Sequence, residues 1–126
     1  MLINRPVRLS IPVENFERAK QFYAEKLEQI PFNESVYGLS YKSGETHYTL
    51  VRSTNAGQAT YSLMTWLVDD IEAAFQALSE RGVIFEAYDL PFLTTVNGIA
   101  TVGADRIAWF KDSEGNLLAI AQLATH

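Results

Sequence analysis

Val13-Glu14-Asn15-Phe16-Glu17-Arg18-Ala19-Lys20-Gln21 returns 55 positions later as Val68-Asp69-Asp70-Ile71-Glu72-Ala73-Ala74-Phe75-Gln76. Val, Glu, Ala and Gln recur identically at that offset, and the acidic and apolar positions are kept in kind. Each copy follows a strand-like run and opens a helix-like one. A repeated supersecondary unit predicts two similar half-folds packed side by side, with the cleft between them as the natural place for a ligand.

Working outward, Val7 to Val13 alternates with period two. Val7, Leu9, Ile11 and Val13 point one way and Arg8, Ser10 and Pro12 the other, as in a half-buried strand. Pro12 suits an edge strand or a strand terminus. Asn15 is a helix N-cap, and Phe16, Ala19, Phe22, Tyr23 and Leu27 form one apolar stripe behind it. Three short strands follow, near Gln29–Asn33, Val36–Lys42 and Glu45–Arg52, with Ser43-Gly44 as the turn between the last two. The polar run from Ser53 to Gln58 reads as a linker.

The second half repeats this plan. Tyr61–Val68 is a strand with Met64, Trp66 and Val68 on its core face and Leu63, Thr65 and Leu67 on the other. Asp69 or Asp70 caps the next helix, and Glu72 is placed to complete a capping box with Asp69. Gly82 ends the helix. Val83–Ala87 is a strand and Asp89–Gly103 a long loop. Arg106–Lys111 and Asn116–Gln122 form a hairpin around Asp112-Ser113-Glu114-Gly115. The expected fold is α+β, one domain over 1–126 built of two tandem βαβββ modules, 7–52 and 61–122.

Composition narrows the function. The chain has 126 residues, enough for one domain with a real core. Its net charge of −5 opposes attraction to nucleic acid or to an anionic membrane surface. With no Cys, thiolate catalysis and thiolate metal sites are excluded. The N-terminus lacks a secretory apolar region, and no segment approaches the ~20 apolar residues of a membrane span. The expected location is cytoplasmic.

Three further segments, in this order, support a resemblance: Val13-Glu14-Asn15-Phe16-Glu17-Arg18-Ala19 leading to Phe22-Tyr23, then Val68-Asp69-Asp70 leading to Arg81-Gly82-Val83. The third is Trp109-Phe110-Lys111-Asp112-Ser113-Glu114-Gly115-Asn116 before an apolar strand. From Val7 to Gln122 the chain resembles the vicinal oxygen chelate superfamily of glyoxalase I, bleomycin-resistance proteins and extradiol dioxygenases. The resemblance implies a cupped mixed sheet with helices outside, and a homodimer. Enzymes of this superfamily place metal ligands on the cup-facing side of four strands. Here the first-strand position matches Arg8, its counterpart in the second module Leu63, and the final-strand carboxylate position Ala119. The fourth falls near Tyr48, with His47 or Thr49 one residue away. Arg repels a cation, and Leu and Ala offer no lone pair. The only histidines are His47 and His126. No metal and no cofactor are expected.

The expected ligand-binding residues are Arg8, Ser10, Tyr48, Leu63, Thr65, Phe92, Trp109 and Ala119. Arg8 would pair with a carboxylate, phosphate or enolate oxygen, and Ser10 and Thr65 are equivalent hydroxyls in the two modules. Trp109 or its neighbours Ala108 and Phe110 line the cup. The apolar run from Tyr88 to Leu93 either closes as a lid hinged at Gly98 and Gly103 or plugs the cup with Phe92 and Leu93. His47 is the one internal candidate base, imidazole being the usual general base near neutral pH. The implied function is metal-independent binding of a small polar, aromatic or anionic molecule. The alternative is a metal-dependent lyase, isomerase or dioxygenase of the glyoxalase I type. Whether any reaction is catalysed stays open at this level.

Overall fold

A computed structural model describes residues 1–124; Thr125 and His126, the second histidine, lie outside the described residues. The fold is α+β with two mixed sheets and two helices. The first half runs β1 (Arg8–Val13), α1 (Phe16–Leu27), β2 (Asn33–Glu34), β3 (Gly38–Ser43) and β4 (Thr46–Arg52). The second runs β5 (Met64–Leu67), α2 (Ile71–Glu80), β6 (Asp89–Leu90), β7 (Leu93–Val96), β8 (Ile99–Val102), β9 (Asp105–Lys111) and β10 (Leu117–Gln122). The first sheet has strand order β1-β4-β3-β2 and the second β5-β10-β9-β8-β7-β6. In both, the opening strand lies at the edge, parallel to the last strand of its half.

The helices start where their caps dictate. Asn15 Oδ1 accepts the Arg18 N–H at 3.0 Å, and Asp70 Oδ1 accepts the Ala73 N–H at 3.1 Å. Such a cap contributes about 1 kcal/mol. Because Asp70 is the cap, Glu72 falls one place short of the capping-box position, and it pairs with Arg106 at 2.8 Å instead. Gly82, at φ 95°, supplies the left-handed residue that ends α2.

Three expected elements differ. The strand near Gln29–Asn33 shrinks to Asn33–Glu34, because Pro31 has no N–H to give a ladder. Val83–Ala87 makes only the bridge Phe85 to Phe110. The long loop is no loop: Asp89 to Val102 forms a meander that extends the second sheet. Its decisive turn is Asn97-Gly98, both at positive φ (53° and 85°), the two-residue turn whose twist matches paired strands. Gly98 and Gly103 are thus turn residues of a sheet rather than hinges of a lid, and Phe92 is 83% exposed rather than a plug.

One core runs through both halves. Tyr23 of α1 packs on Tyr41 and Tyr48, which stack at 4.9 Å; Tyr48 meets Trp66 edge-on, and Trp66 lies over Phe110. A buried polar clamp locks the same junction. Glu114, in the β9–β10 turn, accepts the N–H groups of Glu14 and Asn15 and the guanidinium of Arg18 at 2.8 to 3.0 Å. Asp112 accepts the Tyr23 hydroxyl at 2.8 Å, and Asn116 Nδ2 donates to the Pro12 carbonyl at 2.7 Å. The turn residues Asp112 and Glu114, with Asn116 just beyond them, therefore also tie the second half to the first around the start of α1.

Candidate functional site

The alternation of each strand sorts its residues onto two faces, and the helices take one of them. On β1, Ile11 and Val13 are buried on the helix side, while Arg8 and Ser10 are exposed on the other. Register carries that outward face across the first sheet: Arg8 stands beside His47 and His47 beside Lys42, then Ser10 beside Thr49 and Thr49 beside Ser40. The second sheet has a matching outward face. Thr65 stands beside Ala119 and Ala119 beside Trp109; Leu67 and Ile107 flank Ala121. One face is polar and cationic, the other apolar.

The two opening strands are both unpaired on their outer side: β1 bonds only to β4, and β5 only to β10. A cleft of about 480 Å³ lies between them, with Leu9, Thr46 and Tyr48 on one wall and Leu63, Thr65 and Leu67 on the other. Trp66 also lines it and donates from Nε1 to Ser43 Oγ at 3.1 Å, so its indole bridges the two halves. Tyr48 donates to Gln29 Oε1 at 2.8 Å. Burial, with the neighbouring Tyr41, raises the Tyr48 hydroxyl far above the ordinary tyrosine value, so it remains a neutral donor.

Of the eight residues singled out in the sequence, Tyr48, Leu63 and Thr65 line this cleft. Tyr48 does so from the helix side of β4, its ring almost wholly buried. Arg8 and Ser10 lie on the open face next to it. Ala119 is buried in the floor of the second sheet, and Trp109 is half-buried beside it, packed edge-on against Tyr88 at 5.5 Å. Phe92 stands apart, in the turn between β6 and β7. Sequence reasoning passed over Ser40, Lys42 and Thr49 as neighbours of Arg8. The signal was the alternation of β4, where Tyr48 and Leu50 face the core and His47 and Thr49 must face away.

The donor chemistry of this site does not fit a divalent metal. Arg8, Leu63 and Ala119 supply no ligand atom suited to one. Among the described residues no three His, Cys, Asp or Glu side chains come together as a metal would need. The buried acids are already engaged. Burial raises Asp112 despite its four donors, while for Glu114 the effect of burial is outweighed by Arg18 and three further donors, which hold it at about 2.

A sequence profile described as the Glyoxalase/Bleomycin resistance protein/Dioxygenase superfamily matches residues 5–120. The chain belongs to that superfamily. Its fold is similar to several solved structures along almost the whole length. UcmS2 aligns with a TM-score of 0.74 at 18% identity, over 94% of this chain and 98% of that one. A glyoxalase family protein from Enterococcus faecalis aligns at 0.71 with 20% identity, over 97% and 100%. TnmS3, an antibiotic binding protein from Streptomyces sp. CB03234, aligns at 0.67 with 25% identity, over 98% and 99%. A comparison with curated proteins finds no match. Among the described residues no helix is long and apolar enough to cross a membrane.

Proposed function

We propose that this superfamily member is a metal-independent binding protein that holds a small polar, aromatic or anionic molecule in a cup walled by its two halves. The observation that carries the reading is the makeup of the outward faces. At the three positions that the family resemblance matches to metal ligands stand Arg8, Leu63 and Ala119, set among hydroxyls on one sheet and apolar side chains on the other. Such a wall grips a ligand with an anionic or polar end and an apolar body. The similarity to TnmS3, described as antibiotic binding, supports the same direction.

In this reading residues 7–52 and 61–122 are the two modules of one domain, and Arg8, Ser10, Tyr48, Leu63, Thr65, Trp109 and Ala119 are the binding residues. Phe92 is the outlying member of that set. The working form is a homodimer in the cytoplasm. The dimer is favoured by the open edges of β1 and β5, which carry the exposed apolar side chains Leu9 and Leu67. Unpaired edges of this kind are normally covered.

Thermal melting of chelator-treated protein against a panel of fused-ring aromatic acids, alcohols and amines tests the proposal. A ligand at ~100 times its Kd adds ~2.7 kcal/mol, a rise of roughly 8–10 °C for a chain of this size. No rise with any member, together with stoichiometric uptake of Zn, Mn or Fe and turnover once it is bound, would establish the glyoxalase I or dioxygenase alternative instead.

A further inference from the structure

Resting on that binding reading, we propose that the outward face of the first sheet is an oxyanion site, in which Arg8, His47 and Lys42 take a carboxylate or phosphate. Cross-strand register places the three side by side, on β1, β4 and β3. Neighbouring strands are ~4.8 Å apart. The Arg8 and Lys42 backbones are then ~10 Å apart with the imidazole between them, a span that both long side chains close on a single anion.

Four observations separate this row from an ordinary solvated surface. Neither Arg8 nor Lys42 belongs to any ion pair among the described residues, although five such pairs form elsewhere. No Asp or Glu occupies this face of β1, β3 or β4. The next row inward is Ser10, Thr49 and Ser40. Thr49 and Ser40 are only 4% and 7% exposed, and their hydroxyls meet each other at a loose 3.5 Å. Most of their hydrogen-bonding capacity is unspent, and buried hydroxyls normally find firmer partners. Finally, Phe32 lies against His47 with ring centroids 5.5 Å apart. An aromatic surface therefore adjoins the cations, so the favoured ligand is an oxyanion on an aromatic body. In a chain of net charge −5 an uncompensated cluster of this kind stands out.

Calorimetric titration of the chelator-treated full-length protein with 2-naphthoate, 2-naphthyl phosphate and 2-naphthol is the test. At least one oxyanion is expected to bind about tenfold tighter than the neutral naphthol, the factor a charge-assisted contact contributes. The tighter arm identifies the headgroup. Arg8→Gln and Lys42→Gln should each weaken that oxyanion severalfold and weaken naphthol by less. Lys26→Gln, on α1 and so across the sheet, should alter neither. Arg8 and Lys42 are exposed and, among the described residues, unpaired, so an unchanged melting temperature certifies the fold of both variants. Naphthol binding as tightly as both oxyanions, or an Arg8→Gln/Lys42→Gln double variant that keeps the oxyanion advantage, overturns the oxyanion site while the binding cup stands. Failure of all three probes removes both.

Discussion

Tyr41 and Tyr23 are both fully buried, yet their hydroxyls differ in kind. Tyr23 gives its proton to Asp112, whereas the Tyr41 hydroxyl has no partner among the described atoms. Burial, then Glu34, pushes the Tyr41 hydroxyl up to about 12. Removing an unsatisfied buried hydroxyl relieves a desolvation cost, but removing a satisfied one strands its acceptor. Urea denaturation should therefore find Tyr41→Phe unchanged or stabler by up to ~1 kcal/mol, and Tyr23→Phe less stable by ~1–3 kcal/mol. Glu114 adds a pH signature. Its carboxyl titrates at about 2 in the fold rather than near 4.5, so its stabilisation is complete above that ordinary value and drains away as pH falls toward 2. Asp112, raised by burial, works in the opposite sense, since its protonation favours the fold. Glu114→Gln should lower stability by roughly 2 kcal/mol at neutral pH and flatten the loss of stability between about pH 4.5 and 2. An acid limb as steep as in the parent protein would deny Glu114 this role. None of this was legible in Asp112-Ser113-Glu114-Gly115-Asn116 as a string, because the clamp's partners lie about a hundred residues away.

At the scale of elements, the sequence was most informative where short-range chemistry is strongest. The two helices, the Asn15 cap and the core face of β5 follow from periodicity and capping alone, whereas only Asp70 of the two candidate acids caps α2, and of the expected inward stripe of β1 Ile11 and Val13 are buried while Val7 and Leu9 are exposed. The segment from Asp89 to Gly103 did not, because Pro91 and two glycines masked a real hairpin signal at Asn97-Gly98. Both turn residues adopt positive φ, and a Cβ on Gly98 would meet the Phe75 ring at 2.6 Å. Gly98→Ala should then cost ~1–3 kcal/mol, read as a fall in melting temperature. A neutral outcome would mean that the turn is not formed as described. The proposed binding face was half legible for a related reason. Alternation assigns Arg8 and Ser10 to one side of β1, but which residue of β4 stands beside each depends on register, and a single-residue slip reverses the face. That is why Tyr48 drew attention where His47 and Thr49 are the neighbours.

For the whole molecule, each half opens with a strand and a helix and closes with a strand parallel to that opening strand, though the second sheet has six strands to the first sheet's four, and the superfamily match places the chain among proteins of that fold. What repetition does not encode is how two open sheet edges are covered. If a second copy covers them, as proposed, a charge on either edge must separate the subunits. Leu9→Lys and Leu67→Lys should each shift the chain from dimer to monomer in sedimentation velocity, whereas a parent chain that sediments as a monomer would reject the dimer outright. The central claim is ligand binding without a metal. Its most direct measurement is calorimetric titration of 2-naphthoate into the protein as purified and again after exhaustive chelation. The account expects the same affinity in both samples; binding that disappears on chelation and returns with one divalent ion per chain would contradict it.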